Sequence, residues 1–170
     1  EAMIIRYIIV PALLAVVLAA GIDVLWSPKG TVEDGLAAYN QGDYATAFQL
    51  LRPVAEQGDA IAQYNLALMY HIGQGVPSDG AEAEKWYRLA AEQGIPGAQN
   101  NLGLMYARGQ AVPRDYIQAY KWLHLAASRF PQKERRDMAF KARERVGAEM
   151  TPAQIAEARK LAREWTQQHQ

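Results

Sequence analysis

A block of 36 residues written twice constrains this chain more than any other feature. Shifted by 36 positions, the stretch from Ala62 to Ala91 falls on the stretch from Ala98 to Ala127 with 18 residue types in common, among them Leu66, Met69, Tyr70, Gly73, Pro77, Asp79, Trp86 and Ala90. Self-similarity at a fixed period of this size marks a supersecondary unit that cannot bury its apolar face alone and does so against copies of itself. The chain is therefore expected to stack repeats rather than wrap a single core.

Each unit reads helix, break, helix. Ala62, Leu66, Met69 and Tyr70 follow the i, i+4, i+7, i+8 spacing of one helix face. Gly73-Gln74-Gly75-Val76-Pro77 stops that helix, since glycine admits positive φ and proline cannot continue the ladder. Asp79 is placed to cap a second helix whose Ala83, Trp86, Ala90 and Ala91 form its buried face, and Gly94 ends it. The second copy repeats this with Ala98, Leu102, Met105 and Tyr106, then Asp115, Ala119, Trp122, Ala126 and Ala127. Small residues let paired helices approach, and the large aromatics fill the gaps between pairs.

The unit extends in both directions. Upstream, Gly35 to Gly58 is a shortened version in which Tyr39, Gly42 and Ala47 stand in for Tyr70, Gly73 and Ala83. Downstream the period is lost, and Pro131 to Val146 reads as a strongly charged helix carrying Met138, Phe140 and Val146. Thr151-Pro152-Ala153-Gln154 announces another helix through a hydroxyl cap, proline at the first helical position and Gln three residues on. Ile155, Ala158, Leu161, Ala162 and Trp165 make its apolar face, so this pair is expected to close the stack. Residues 31–131 are thus read as repeats (31–59 shortened, 60–95 and 96–131), and 132–170 as capping helices.

Residues 1–30 read differently. Tyr7 to Trp26 is an apolar run whose only charge is Asp23, long enough as a helix to match the roughly 30 Å of a bilayer's hydrocarbon. Tyr7 and Trp26 stand where interfacial aromatics belong, and Arg6 favours an amino terminus on the cytoplasmic side. A cleaved signal peptide is the competing reading. The expected fold class is all-α, a solenoid of antiparallel helix pairs preceded by one transmembrane helix. The expected place is a bacterial inner membrane, single-pass, with the repeats in the periplasm.

Lys plus Arg and Asp plus Glu both count 18, which removes the positive field that nucleic-acid binding needs. The absence of cysteine excludes disulfides and thiolate metal sites. His71, Ser78 and Asp79 share one helix–loop stretch, but a helix-end histidine and a capping aspartate account for them better than a catalytic triad. No phosphate-loop or metal-ligand spacing occurs, so no cofactor, metal or small-molecule substrate is expected.

Ala98 to Tyr106, the Gly-Gln-Gly-Val loop, Asp79 and Asp115, and Trp86 and Trp122 together resemble the Sel-one-like repeat family, an α-solenoid relative of the tetratricopeptide repeat. Ala67 and Ala111 depart from it, standing where glycine is usual. The resemblance implies protein–protein binding or scaffolding, often in the bacterial envelope, with no catalytic residues to carry over. The leading expectation is a membrane-anchored adaptor that binds other proteins on the concave face of the array. Tyr64/Asn100, His71/Ala107 and Ile72/Arg108, which differ between the repeats at positions free of the core, are the candidate contacts. The alternative is an accessory subunit of a larger, energy-transducing inner-membrane complex with the anchor packed into it; an envelope enzyme ranks last.

Overall fold

Side-chain capping marks where six of the eight described helices begin in the computed structural model, which describes residues 31–169. The order is α1 (Val32–Asn40), α2 (Tyr44–Glu56), α3 (Ala60–Ile72), α4 (Gly80–Glu92), α5 (Pro96–Arg108), α6 (Tyr116–Arg129), α7 (Lys133–Ala148) and α8 (Pro152–Gln168). Asp43, Asp59, Asp79 and Asp115 each accept a backbone N–H at the start of α2, α3, α4 and α6. Thr31 with Asp34 and Thr151 with Gln154 close reciprocal capping boxes on α1 and α8. Gly73 and Gly109 end α3 and α5 in the left-handed conformation, at φ 81° and 66°.

Successive helices pack against one another from α1 through α7, and α8 returns to pack on α6. Many of the apolar residues that recur every 36 positions disappear from solvent. Ala62, Leu66, Met69, Ala83 and Ala90 have no exposed surface, nor have Ala98, Leu102, Ala119 and Ala126, and Trp86 and Trp122 are buried with them. Burying an aliphatic side chain of this size is worth about 1.5–3 kcal/mol. The repeated stripe is thus the core of the stack.

The tail continues the alternation without the sequence period. Along α7, Gly147 lies beside Tyr120 and Arg143 beside His124, so α7 runs antiparallel to α6. Along α8, Arg159 meets Tyr120 and Trp165 meets Trp122, so α8 runs parallel to α6, as a second helix of a further pair would. Of the expected apolar residues of α7, Val146 is buried, whereas Met138 and Phe140 are exposed at 70% and 49%. On α8, Ala158, Ala162 and Trp165 are buried, and Ile155 and Leu161 are half-buried. The Trp165 indole donates to Glu92 Oε2 at 2.5 Å, and its ring stacks on His169 at 4.1 Å and under Arg129 at 4.6 Å. This one side chain ties the tail to the end of α4.

The membrane expectation is corrected. The run from Tyr7 to Trp26 lies outside the described residues, and among the described residues no helix is long and apolar enough to cross a membrane. The longest, α8, has 17 residues and carries Arg159, Lys160, Arg163 and Glu164, so it covers only about 25 Å at 1.5 Å per residue and could not shed its charges in hydrocarbon. The fold is an all-α repeat solenoid with no transmembrane helix assigned, and the single-pass inner-membrane placement is withdrawn with it.

Candidate functional site

The first helices of the pairs, α3 and α5, lie side by side with α7 beyond them, and two hollows run along the face they share. The first, of about 240 Å³, is lined by Tyr64 from α3, by Gly97, Asn100 and Asn101 from α5, by Phe130, and by Arg135 and Met138 from α7. The second, of about 160 Å³, lies between Leu68, His71 and Ile72 of α3 and Leu104 and Arg108 of α5, with Tyr87 as floor. Asn101 lines both, so the two hollows are parts of one groove.

Tyr87 organises this floor. It has no exposed surface, accepts a hydrogen bond from Asn101 Nδ2 at 3.1 Å, and is flanked by Tyr64 at 6.1 Å and His71 at 5.9 Å between ring centroids. Burial pushes its phenol well above the ordinary tyrosine range, so it stays neutral and available as a hydrogen-bonding group. Burial also raises the Tyr64 phenol. Gly97 allows Tyr64 to lie across α5, since a Cβ there would come within 2.9 Å of the Tyr64 ring and hydroxyl.

All five expected contact residues line this groove: Tyr64 and Asn100 the first hollow, and His71, Ile72 and Arg108 the second. Sequence comparison between repeats missed Asn101, because Asn65 occupies the equivalent place and the pair looked like framework. It missed Tyr87 because that residue sits on a second helix. Arg135 and Met138 lie outside the repeat and had no partner for comparison. Tyr7 and Trp26, expected at membrane interfaces, lie outside the described residues.

The lining combines polar and basic side chains with apolar ones. Neither hollow has a carboxylate among its lining residues, and among the described residues Arg108 and Arg135 form no ion pair, so the groove carries uncompensated positive charge. Ile72, 58% exposed, and Met138 supply apolar surface at its two ends. Ser78 Oγ donates to the His71 carbonyl at 3.3 Å and Asp79 accepts the N–H groups of Ala81 and Glu82, so those three side chains are not aligned as a triad. Among the described residues no three His, Asp or Glu side chains converge on a metal position.

Comparison with known proteins bears on this groove. The Sel1 repeat matches over residues 33–59, 60–95 and 96–129, more than half of the chain. The chain belongs to the Sel1 repeat family. No curated protein matches it. Among solved structures it is similar to a protective antigen of uropathogenic Escherichia coli strains that displays an SLR fold, with TM-score 0.73 and 28% identity. That likeness covers 81% of this chain and 29% of the antigen. A Sel1 repeat protein from Oxalobacter formigenes is similar at TM-score 0.55 and 34% identity, over 58% of this chain and 40% of that one. The chain thus spans less than half the length of either. The Sel1 repeat is a protein-interaction fold, and its repeats point to protein partners.

Proposed function

We propose that this Sel1 repeat chain is a scaffold or adaptor that binds a segment of a partner protein in the α3–α5–α7 groove. The observation that carries the reading is the continuity of the two hollows through Asn101, along a face where the repeats diverge in sequence. Core positions are dictated by packing, whereas Ile72 and Arg108 are exposed and Tyr64, Asn100 and His71 keep part of their surface open to a partner.

The groove chemistry favours an extended segment with an acidic group and an apolar side chain. Asn100 and Asn101 offer amide donors and acceptors for a peptide backbone, Arg108 and Arg135 attract a carboxylate, and Ile72 and Met138 bury an aliphatic group. Charge reversal tests it. Arg108→Glu with Arg135→Glu is expected to lower the yield of co-purifying partner at least tenfold, while Lys160→Glu on the far side leaves it unchanged. Equal recovery by both variants sinks the groove reading.

A further inference from the structure

The groove does not stop at the second hollow. A third, of about 230 Å³, opens beyond it where the α3–α4 and α5–α6 connections meet, lined by Ser78 and Gly80 on one side and by Gln110 and Ala111 on the other. His71, Met105 and Gln110 line the second and third hollows alike, so all three follow one another along α5. On that side the first lining runs from Gly97 to Asn101 and the third from Met105 to Ala111. Their middles are about 14 Å apart at 1.5 Å per residue. An extended chain sets every second side chain on one face at about 6.7 Å, so three such side chains span nearly the same length.

Each hollow has its own chemistry. In the first, Arg135 forms no ion pair among the described residues, and the Tyr64 hydroxyl that shares the hollow has no partner there either. Lys133 and Asp137 pair with each other, and Glu134 lines none of the three hollows. The second is walled by Leu68, Ile72, Leu104 and Met105 beside the Tyr87 ring, with Arg108 among them. No Asp, Glu, Lys or Arg lines the third, where the Gln110 amide is unpaired among the described residues and Ser78, which donates to the His71 carbonyl, can only accept.

The amides between the first two hollows suit an open backbone. Asn65, one repeat earlier, donates its amide to the Ile61 carbonyl of its own helix. Asn101 instead donates to the Tyr87 hydroxyl, and Asn100 donates to Asn101 Oδ1. Asn100 Oδ1 and one N–H of each amide are left without a partner among the described residues. A helix satisfies its backbone internally, whereas an extended chain presents a free N–H and C=O at successive residues.

We infer that the groove takes an extended partner segment in which an acidic, an aliphatic and a neutral polar side chain stand two residues apart, in that order along α5. The inference rests on the groove reading above and adds the register of the bound chain to it. The carboxylate meets Arg135 and the Tyr64 hydroxyl, the aliphatic group enters the second hollow, and the polar group meets Gln110. Arg108 and Arg135 repel a segment that carries Lys or Arg at these places.

The test is fluorescence anisotropy of the full chain with the labelled peptide Gly-Glu-Ser-Leu-Ser-Gln-Gly and its reversal, Gly-Gln-Ser-Leu-Ser-Glu-Gly. One of the two is expected to bind saturably. Binding should weaken at least tenfold when a further Ser separates the acidic and aliphatic residues, when Lys replaces the acid, and in Arg135→Gln and Ile72→Gln. Lys160→Gln should bind as the natural chain does, and circular dichroism confirms that each variant is folded. No saturable binding by either peptide, wild-type affinity in both groove variants, equal affinity for the lengthened peptide, or tighter binding of an alanine-rich helix carrying the same side chains four residues apart overturns the register. The groove reading is judged separately by the charge-reversal pair above: loss of the partner in that pair without peptide binding refutes the register alone.

Discussion

Gln63 and Gln99, one repeat apart, make the same hydrogen bond: each donates its side-chain amide to the carbonyl eight residues earlier, Ala55 and Ala91 respectively, at 3.1 Å. Their oxygens fare differently. Gln63 Oε1 accepts from Gln93 Nε2 at 2.8 Å, whereas Gln99 Oε1 is buried with no partner among the described residues. The position equivalent to Gln93 is Arg129, and its guanidinium lies over Trp165 instead.

Gln63→Ala is therefore expected to cost more stability than Gln99→Ala, by about 1 kcal/mol, since it removes one more satisfied bond from a buried site. Chemical denaturation of both variants gives the difference. Equal losses would mean that the Gln93 bond contributes nothing.

A second asymmetry lies in the loops. Gly75 is at φ 72°, and a Cβ there would come within 2.2 Å of the Tyr44 carbonyl oxygen at the start of α2. One repeat later Ala111 takes the same left-handed conformation, at φ 64°, and its methyl rests on Gly80 at the start of α4. The side chain has moved from one partner to the other. Ala111→Gly is expected to stabilise by about 1 kcal/mol through relief of backbone strain. Gly80→Ala, whose new Cβ would fall 2.1 Å from that of Ala111, should destabilise, at about 1–3 kcal/mol for an overpacked site. The double variant should recover most of that loss, as thermal melts would show.

Trp86 and Trp122 occupy equivalent places, yet only one indole is satisfied. Trp86 Nε1 donates to Glu82 at 3.0 Å, while Trp122 Nε1 is buried without a partner and the residue one turn earlier is Gln118. Gln118→Glu replaces an amide that makes no bond to the indole with a carboxylate beside Lys121, which already lies 4.0 Å over the Trp122 ring. It is expected to raise the melting temperature by about 2–4 °C, the shift that 1 kcal/mol produces in a chain of this size. A lower melting temperature would show that the carboxylate does not reach the indole.

Acid should weaken the tail first. Burial, then Arg143, Arg159 and Arg163, lower the His124 pKa from 6.5. The unfolded chain therefore binds the proton more readily, and stability is full above about pH 6.5 and falls as the pH drops towards the folded value. Denaturation midpoints measured between pH 7.5 and 5 are expected to decline less in His124→Gln than in the natural chain. Parallel profiles would contradict this.

Much of this architecture was legible in the sequence because repetition does what an alignment would do. Small and large apolar positions identical in both units pointed to the core, and Ala62, Trp86, Ala98 and Trp122 are buried. Capping residues were equally readable, since Asp79 and Thr151 act through bonds to neighbours two or three residues away. Where partners are distant, sequence was silent. Trp165 and Glu92 are 73 positions apart, and neither spacing nor composition connects them. The groove was half legible: divergence between repeats picked out Tyr64, Asn100, His71, Ile72 and Arg108, but Asn101 is identical in both units, and Arg135 and Met138 lie beyond the period. The apolar run before residue 30, read as a membrane span from its local pattern, lies outside the described residues, among which no helix is long and apolar enough to cross a membrane.

The central claim is that the α3–α5–α7 groove is where this Sel1 repeat chain meets its partner. A photo-crosslinking amino acid placed at Asn100, with a second variant carrying it at Lys160, tests this directly in extracts of the producing cell. A discrete crosslinked protein from position 100 and none from position 160 is the predicted result. The same product from position 160, or none from position 100, would contradict it.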